Sequence, residues 1–224
     1  VQSVLVALDI TEEVVDEAIK IGADLIVAHH PVMNCKWLPV QTVRDDTCQG
    51  RILTKMLRSE ISGICMHTNL DIAQGGVNDC LARALDLQDI EPLGEDGCGR
   101  VGSLAADMPQ DAFLHRVYDG LHCSGMRYVM GSKPVRRVAV GGGACWDYHR
   151  DALEKGCDTF VTSDLGYHDF LDAKALGLNV IDAGHFPTED VVCPYLMASL
   201  QKQYPDLIVQ KSLSHGEVFR YFTK

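Results

Sequence analysis

Residues 4–31 read VLVALDITEEVVDEAIKIGADLIVAHHP, and their rhythm sets the fold class. Val4-Leu5-Val6-Ala7-Leu8 is a short, uninterrupted apolar run, the pattern of a strand buried on both faces. Thr11 follows as a helix N-cap, with Glu12 and Glu13 in the first turn, where the helix dipole favours carboxylates. Gly22 ends that helix, and Leu25-Ile26-Val27-Ala28 forms a second strand. Strand, helix, strand at this spacing is a βαβ unit with parallel strands.

The rhythm continues outward from there. A loop with Pro31, Trp37 and Pro39 precedes a helix expected over Cys48–Arg58, a strand over Ile61–Met66 and a helix over Val77–Leu85. The segment Glu95–Lys133 is richer in Gly and reads as less regular, with short strands. From Arg136 the alternation resumes, with strands over Arg137–Val140, Thr159–Thr162 and Leu178–Asp182. Helices are expected near Tyr148–Lys155 and Asp169–Leu176. Pro187 suits the first turn of a long helix reaching Gln203. Late strands over Leu207–Gln210 and Val218–Phe222 are expected to close the chain.

The two stretches of alternation align. At one gapless offset Val4 and Val6 fall on Val138 and Val140, and Ala18, Gly22, Asp24 and Val27 on Ala152, Gly156, Asp158 and Val161. A second, shorter offset lays His67 on His185 and Asp71 on Glu189. The expected architecture is α/β: two related, pseudo-duplicated halves, residues 1–94 and 134–224, joined by an irregular segment 95–133. Each half has a mixed sheet flanked by helices, and the functional site is expected between the halves, at the C-terminal ends of strands.

Composition narrows the function. The 224 residues carry 20 Lys+Arg against 31 Asp+Glu, a net charge of −11. A nucleic-acid binder draws most of its affinity from neutralised phosphates, so that class is excluded. No apolar stretch reaches the ~18–20 residues a bilayer span needs. Nine cysteines are scattered without a Cys-x-x-Cys pair, which points to reduced thiols in a cytoplasmic protein. Residue 1 is Val, not Met, in what reads as the first strand, so a truncated N-terminus is expected.

Histidines stand where such a fold gathers ligands. His29 and His30 end the second strand, His67 ends the third in His67-Thr68-Asn69-Leu70-Asp71, and His168 and His185 follow later strands. Imidazole and carboxylate donors suit zinc, iron, manganese or cobalt. Adjacent histidines on a straight strand point apart, but a turn into Pro31 rotates them toward one region. His185 and Glu189, four apart, share a helix face. Asp71 and Glu189 can each bridge two cations. His115, His122, His149 and His215 lack such company and read as surface or core-edge residues. Gly141-Gly142-Gly143 offers backbone amides to an anion or serves as a tight turn, and matches neither nucleotide-binding fingerprint.

At these residues the sequence resembles a known family. Leu8-Asp9-Ile10-Thr11, Ala23–Pro31, His67–Asp71 with Gly75-Gly76-Val77-Asn78-Asp79, and Asp182-Ala183-Gly184-His185-Phe186 with Thr188-Glu189 match motifs of the type 2 GTP cyclohydrolase I homologues. These are the NGG-interacting-factor-like dinuclear metal proteins. The resemblance implies two divalent ions per chain on His29, His30, Asp71, His185 and Glu189, with His67 a further ligand or neighbour. It also implies a homohexamer built from dimers. The family's Thr-Gly-Asp reads Thr162-Ser163-Asp164 here, and its segment before the first strand is missing. The function expected is metal-dependent hydrolysis of a small molecule, a nucleotide among the candidates, with His67 or His168 moving protons. Ring opening of GTP with loss of formate is the reaction the family name implies. The alternative is a non-catalytic metal-holding scaffold for a protein partner. Lys36, Arg44, Lys133, Arg136 and Arg137 are the cations loosely placed for a triphosphate.

Overall fold

The computed structural model describes residues 1–33 and 43–222. In chain order it has β1 (Ser3–Ala7), α1 (Glu12–Ile21), β2 (Leu25–Ala28), α2 (Cys48–Arg58), β3 (Ser62–Cys65), α3 (Thr68–Ile72) and α4 (Val77–Ala84). There follow β4 (Gln88–Pro92), β5 (Arg100–Met108), α5 (Gln110–Gly120), β6 (Arg127–Val129), β7 (Val135–Val140) and α6 (His149–Glu154). The chain finishes with β8 (Thr159–Thr162), α7 (Tyr167–Leu176), β9 (Asn179–Asp182), α8 (His185–Asp190), α9 (Val192–Gln203) and β10 (Ile208–Lys211). It is a mixed α/β protein with two sheets. Its contacts divide it into one unit of residues 1–70 and 193–216, and a second of residues 71–192 and 217–224.

The first unit carries a four-stranded sheet in the order β10-β1-β2-β3, all parallel. Thr11 Oγ1 accepts the Val14 amide at 3.2 Å, and Gly22 closes α1 in the left-handed region at φ +69°. Leu5, Ala7, Ile26 and Ala28 pack with Val14, Val15 and Ala18 of α1 on one face of the sheet. Val4, Val6 and Val27 are also buried, so the central strands have two covered faces and no polar alternation. The edge strand β3 is largely exposed.

The second unit carries six strands in the order β4-β5-β7-β8-β9-β6. The trio β7-β8-β9 is parallel, and β5 and β6 flank it antiparallel. Successive residues point to opposite faces. Val138, Val140, Val161 and Ile181 join the cluster around Phe113 and Leu85, while Ala139, Phe160 and Val180 join the one around Leu165 and Leu178. Each large side chain buried in this way contributes roughly 1.5–3 kcal/mol.

The registers repeat between the units. Val4 pairs with Leu25 and Val6 with Val27 in the first; Val138 pairs with Thr159 and Val140 with Val161 in the second. These are the positions that the sequence offset superposes.

Three elements differ from the sequence expectation. Segment 95–133, expected to be irregular, holds the nine-residue β5 and the eleven-residue α5. Two of its glycines, Gly97 and Gly99, lie in the turn before β5 and adopt φ +83° and +69°. The long helix expected from Pro187 is instead two helices, α8 and α9. Pro194, in the first turn of α9, has no amide to carry the ladder across the junction. Val218–Phe222 form no strand.

Candidate metal centre

In the first unit, the ends of β2 and β3 bring three imidazoles together. The amides of His29 and His30 both donate to the Leu8 carbonyl, at 3.1 and 3.0 Å. Two successive amides aimed at one acceptor end the strand's alternation, and both rings turn to the same region. The His29 and His30 centroids lie 4.8 Å apart, and His67 stacks on His29 at 4.9 Å. One ligand atom from each of the three lies within 4.8 Å of the others.

Their hydrogen bonds fix which nitrogen faces a ligand. His29 is fully buried, and its Nδ1 lies 2.6 Å from the Met66 carbonyl. A carbonyl only accepts, so Nδ1 carries the proton and Nε2 the lone pair. His30 Nδ1 lies 2.8 Å from Asp9 Oδ1, which fixes the same tautomer. Asp9 Oδ2 is 2.8 Å from His215 Nε2. Burial raises the Asp9 pKa, but hydrogen bonds from His215 and His30 outweigh it and hold Asp9 well below the usual carboxylate range. His67 is exposed, with Nδ1 3.2 Å from Thr68 Oγ1.

The second unit builds a group rich in carboxylates. β9 ends at Asp182, Gly184 turns the chain at φ +92°, and α8 starts with His185. One turn on, Glu189 is only 4 % exposed, with Oε2 3.1 Å from His185 Nε2. Asp71 brings a carboxylate oxygen within 4.8 Å of the Glu189 carboxylate. Asp164, itself at φ +58°, accepts from His185 Nδ1. The Glu189 hydrogen bond, opposed by burial and aided by Asp164, raises the His185 pKa to about 9.

The Gly141-Gly142-Gly143 stretch is a tight turn, and its amides are spent. They donate to the Val161 carbonyl, Asn78 Oδ1 and Thr188 Oγ1, at 3.0, 2.9 and 3.1 Å. Asn78 Nδ2 in turn holds the Asp71 carbonyl at 3.0 Å. Buried Arg100 pairs with Asp79 and donates to the carbonyls of Ile72, Ala73, Gly97 and Gly99. The Gly75–Asp79 motif therefore holds in place the loop that follows Asp71.

All five expected metal ligands thus stand in two groups: His29 and His30 beside His67 in one unit, and Asp71, His185 and Glu189 in the other. His168, on the exposed first turn of α7, packs edge-on against Tyr167 and belongs to neither group. Sequence reading missed His215, which was placed at the surface or core edge yet is the second imidazole on Asp9. It also gave no role to Asp9 or Arg100. Asp9 does have a signal, since it lies just past the end of β1; His215 has none. Of the cations considered for a triphosphate, Arg44, Arg136 and Arg137 each face a carboxylate, those of Asp46, Asp107 and Glu91. Lys36 lies outside the described residues.

Imidazoles with locked tautomers and carboxylates on strand ends are a donor set for divalent transition ions. The model of the Duf34/NIF3 (NGG1p interacting factor 3) family matches residues 1–215. The chain belongs to the NIF3 family. It is 34 % identical over 196 residues to the GTP cyclohydrolase 1 type 2 homolog of Clostridium perfringens, covering 84 % of this chain and 74 % of that one. The homolog from Streptomyces coelicolor is 36 % identical over 214 residues, covering 90 % and 74 %. Among solved structures, a Bacillus cereus protein related to NIF3 superposes with a TM-score of 0.88 at 27 % identity, over 99 % of this chain and 90 % of that one. Reduced HcgD from Methanocaldococcus jannaschii gives 0.80 at 28 %, over 94 % and 83 %. Among the described residues, no helix of this NIF3 protein is long and apolar enough to cross a membrane.

Proposed function

We propose that this NIF3-family protein holds two divalent metal ions per chain on His29, His30, Asp71, His185 and Glu189, and uses them in hydrolysis of a small molecule. In this reading His29, His30, Asp71, His185 and Glu189 serve the same ion pair, in the duplicated fold that the sequence repeat implies. The register shared by β1-β2 and β7-β8 supports the duplication.

The observation that carries the reading is the set of Nδ1 hydrogen bonds. Met66, Asp9 and Asp164 each take the Nδ1 proton of a different imidazole, which orients the rings by Nδ1, as the second partners of ligating histidines do; on His185 a metal would replace the Nε2 contact with Glu189. The two groups are complementary: one supplies imidazoles, and the other the acids that offset the charge of two dications. Zinc, iron, manganese and cobalt all accept these donors.

Bound divalent ions supply Lewis acidity and an activated water near neutral pH. The protein's own part is to hold the donors rigid and to move protons. Exposed His67, beside the His29 ring, is the group placed to exchange a proton with substrate or solvent; His168 is the second candidate. The relatives' name makes GTP, with release of formate, the first substrate to test. The pairing of Arg44, Arg136 and Arg137 with acids favours a substrate bound without a dense guanidinium clamp. Assembly into a homohexamer of dimers belongs to the same reading and is checked by light scattering.

The test is metal analysis of protein purified without chelator, followed by incubation with GTP and other nucleotides. About two transition ions per chain, with turnover absent from a His29→Ala, Asp71→Ala double variant, support the reading. Metal without turnover on any nucleotide defeats the nucleotide hydrolase and leaves the metal-holding scaffold.

A further inference from the structure

Asp182 is the last residue of β9, and Arg127 stands directly opposite it in the antiparallel β6–β9 ladder. Residues paired in this way present their side chains on one face of the sheet. The Arg127 guanidinium donates to Asp182 Oδ2. It also lies over the Phe170 ring of α7, with Cζ 5.3 Å from the centroid, a contact that steadies the long side chain.

The two oxygens of Asp182 hold two different stretches of backbone. Oδ2 accepts the Leu165 amide, in the loop after β8, and Oδ1 accepts the Gly184 amide, in the turn after β9, each at 3.2 Å. Arg127 completes the anchoring of the loop, since its Nη2 donates to the Leu165 carbonyl at 2.9 Å. Both polar groups of the Leu165 backbone are thus taken, and its side chain is buried in the core. Asp182 itself is only 4 % exposed, and a carboxylate so deeply buried is stable only with its charge and lone pairs met.

The two anchored residues flank a functional pair. Asp164 precedes Leu165, and His185 follows Gly184. Asp164 accepts from His185 Nδ1 and holds φ +58°, a conformation that an L residue keeps only where its surroundings fix it. Gly184, at φ +92°, sets where α8 begins. A carboxylate that merely neutralised Arg127 would need neither amide. Asp182 instead grips the chain one residue away from each member of the Asp164–His185 pair.

We propose that Asp182, with Arg127, is a positioning residue that sets the Asp164–His185 hydrogen bond and thereby the direction in which the His185 ring faces a ligand. Without its carboxylate, two amides and a guanidinium lose their common acceptor. The loop after β8 and the turn after β9 then shift independently, and the bond between Asp164 and His185 loses its geometry. This positioning stands on the hydrogen bonds of Asp182 and Arg127; its consequence for metal affinity rests on the proposed metal centre.

The experiment follows the His185 ring in chelator-stripped protein by long-range proton–nitrogen correlation spectra. The Nδ1 shift reports the hydrogen bond to Asp164, and the signal is assigned by its absence from His185→Gln. Asp182→Ala should move that shift. Asn179→Ala is the control for stability alone: Asn179 is fully buried at the opposite end of β9, where it accepts the Gly131 amide at 2.7 Å. It should lower the melting temperature and leave the His185 signal in place. Arg127→Ala removes a half-exposed side chain, decides the case if Asp182→Ala does not fold, and should give the same change to a smaller degree.

In chelator competition Asp182→Ala should bind metal about 10-fold more weakly, with a shifted visible spectrum when loaded with cobalt(II), and Asn179→Ala should match the wild type in both. An unchanged His185 signal in folded Asp182→Ala or Arg127→Ala, or an equal change in Asn179→Ala, overturns the positioning role. A moved signal with unchanged metal affinity overturns the coupling to metal alone. A wild type that binds no metal overturns the metal centre, while the His185 signal still decides the positioning.

Discussion

Gly143 and Glu189 approach so closely that a Cβ on Gly143 would stand 2.3 Å from Glu189 Oε1, and 3.1 Å from His185 Nε2. Gly143 also adopts φ +61°. The turn between β7 and α6 is thus shaped around the carboxylate of α8, and only glycine satisfies both conditions.

Gly143→Ala should therefore lose metal as well as stability. The left-handed backbone costs an L residue roughly 1–2 kcal/mol, and displacement of the Glu189 carboxylate adds to it. Gly156, at φ +72° with nothing within 4 Å of its would-be Cβ, is the control for backbone strain alone. Gly156→Ala should lower the melting temperature by a few degrees with metal content unchanged, whereas Gly143→Ala should lower both. Equal metal retention in the two would mean that Glu189 tolerates the added carbon.

Asp9 should act on metal affinity without touching the metal. It anchors His30 at 2.8 Å and is itself anchored by His215. Removing the carboxylate frees the His30 ring to rotate and change tautomer. Asp9→Ala is expected to weaken metal binding by about 10- to 100-fold. His215→Ala should weaken it less, since the Asp9–His30 bond survives. Chelator competition reads both; an effect from His215→Ala and none from Asp9→Ala would contradict the arrangement.

Acid should loosen the C-terminal segment through Glu17. Its carboxylate, partly buried, accepts from the Ser212 and Ser214 hydroxyls and from the Leu213 and Ser214 amides. Burial raises its pKa, but these hydrogen bonds prevail and lower it from 4.5 to about 2. A carboxylate depressed in the folded state stabilises fully above about 4.5, and that stabilisation fades as pH falls toward 2. Discounted for partial exposure, it amounts to about 1–2 kcal/mol. Glu17→Gln should be less stable at pH 7 and show a shallower loss of stability between pH 4.5 and 2; denaturant titrations at several pH values measure this.

Ser163 takes the place of the glycine usual in its motif, and its buried Oγ has no hydrogen-bond partner among the described residues. An unsatisfied buried hydroxyl costs roughly 1–3 kcal/mol. Ser163→Ala should be neutral or stabilising by about 1 kcal/mol, with metal content unchanged. A clear destabilisation in urea would show that the hydroxyl has a partner in solution.

What could be read from the sequence was local in the chain. Thr11, Gly22 and the apolar runs at Leu5 and Ile26 set β1-α1-β2 through caps and periodicity, which act over a few residues. His29, His30 and His67 were legible because strand ends in a parallel sheet collect side chains. The rest depends on distant partners. β10 pairs Ile208 with Ser3, Asp9 meets His215, and Arg100 ties together two turns. Neither hydrophobic period nor motif spacing encodes such meetings. β5 was obscured for another reason: turn glycines precede it, and Ala105, Ala106 and Asp107 leave its far end exposed, so no clean apolar run marks it.

The central claim is that His29, His30, Asp71, His185 and Glu189 serve one ion pair. Metal content per chain, measured by elemental analysis on wild type, His29→Ala and Glu189→Ala purified without chelator, tests it most directly. The account predicts about two transition ions in the wild type and a marked loss of both in each variant. Two ions in the wild type with only one lost on each substitution and the other bound as tightly as before would mean two independent sites, and a metal-free wild type would remove the centre altogether.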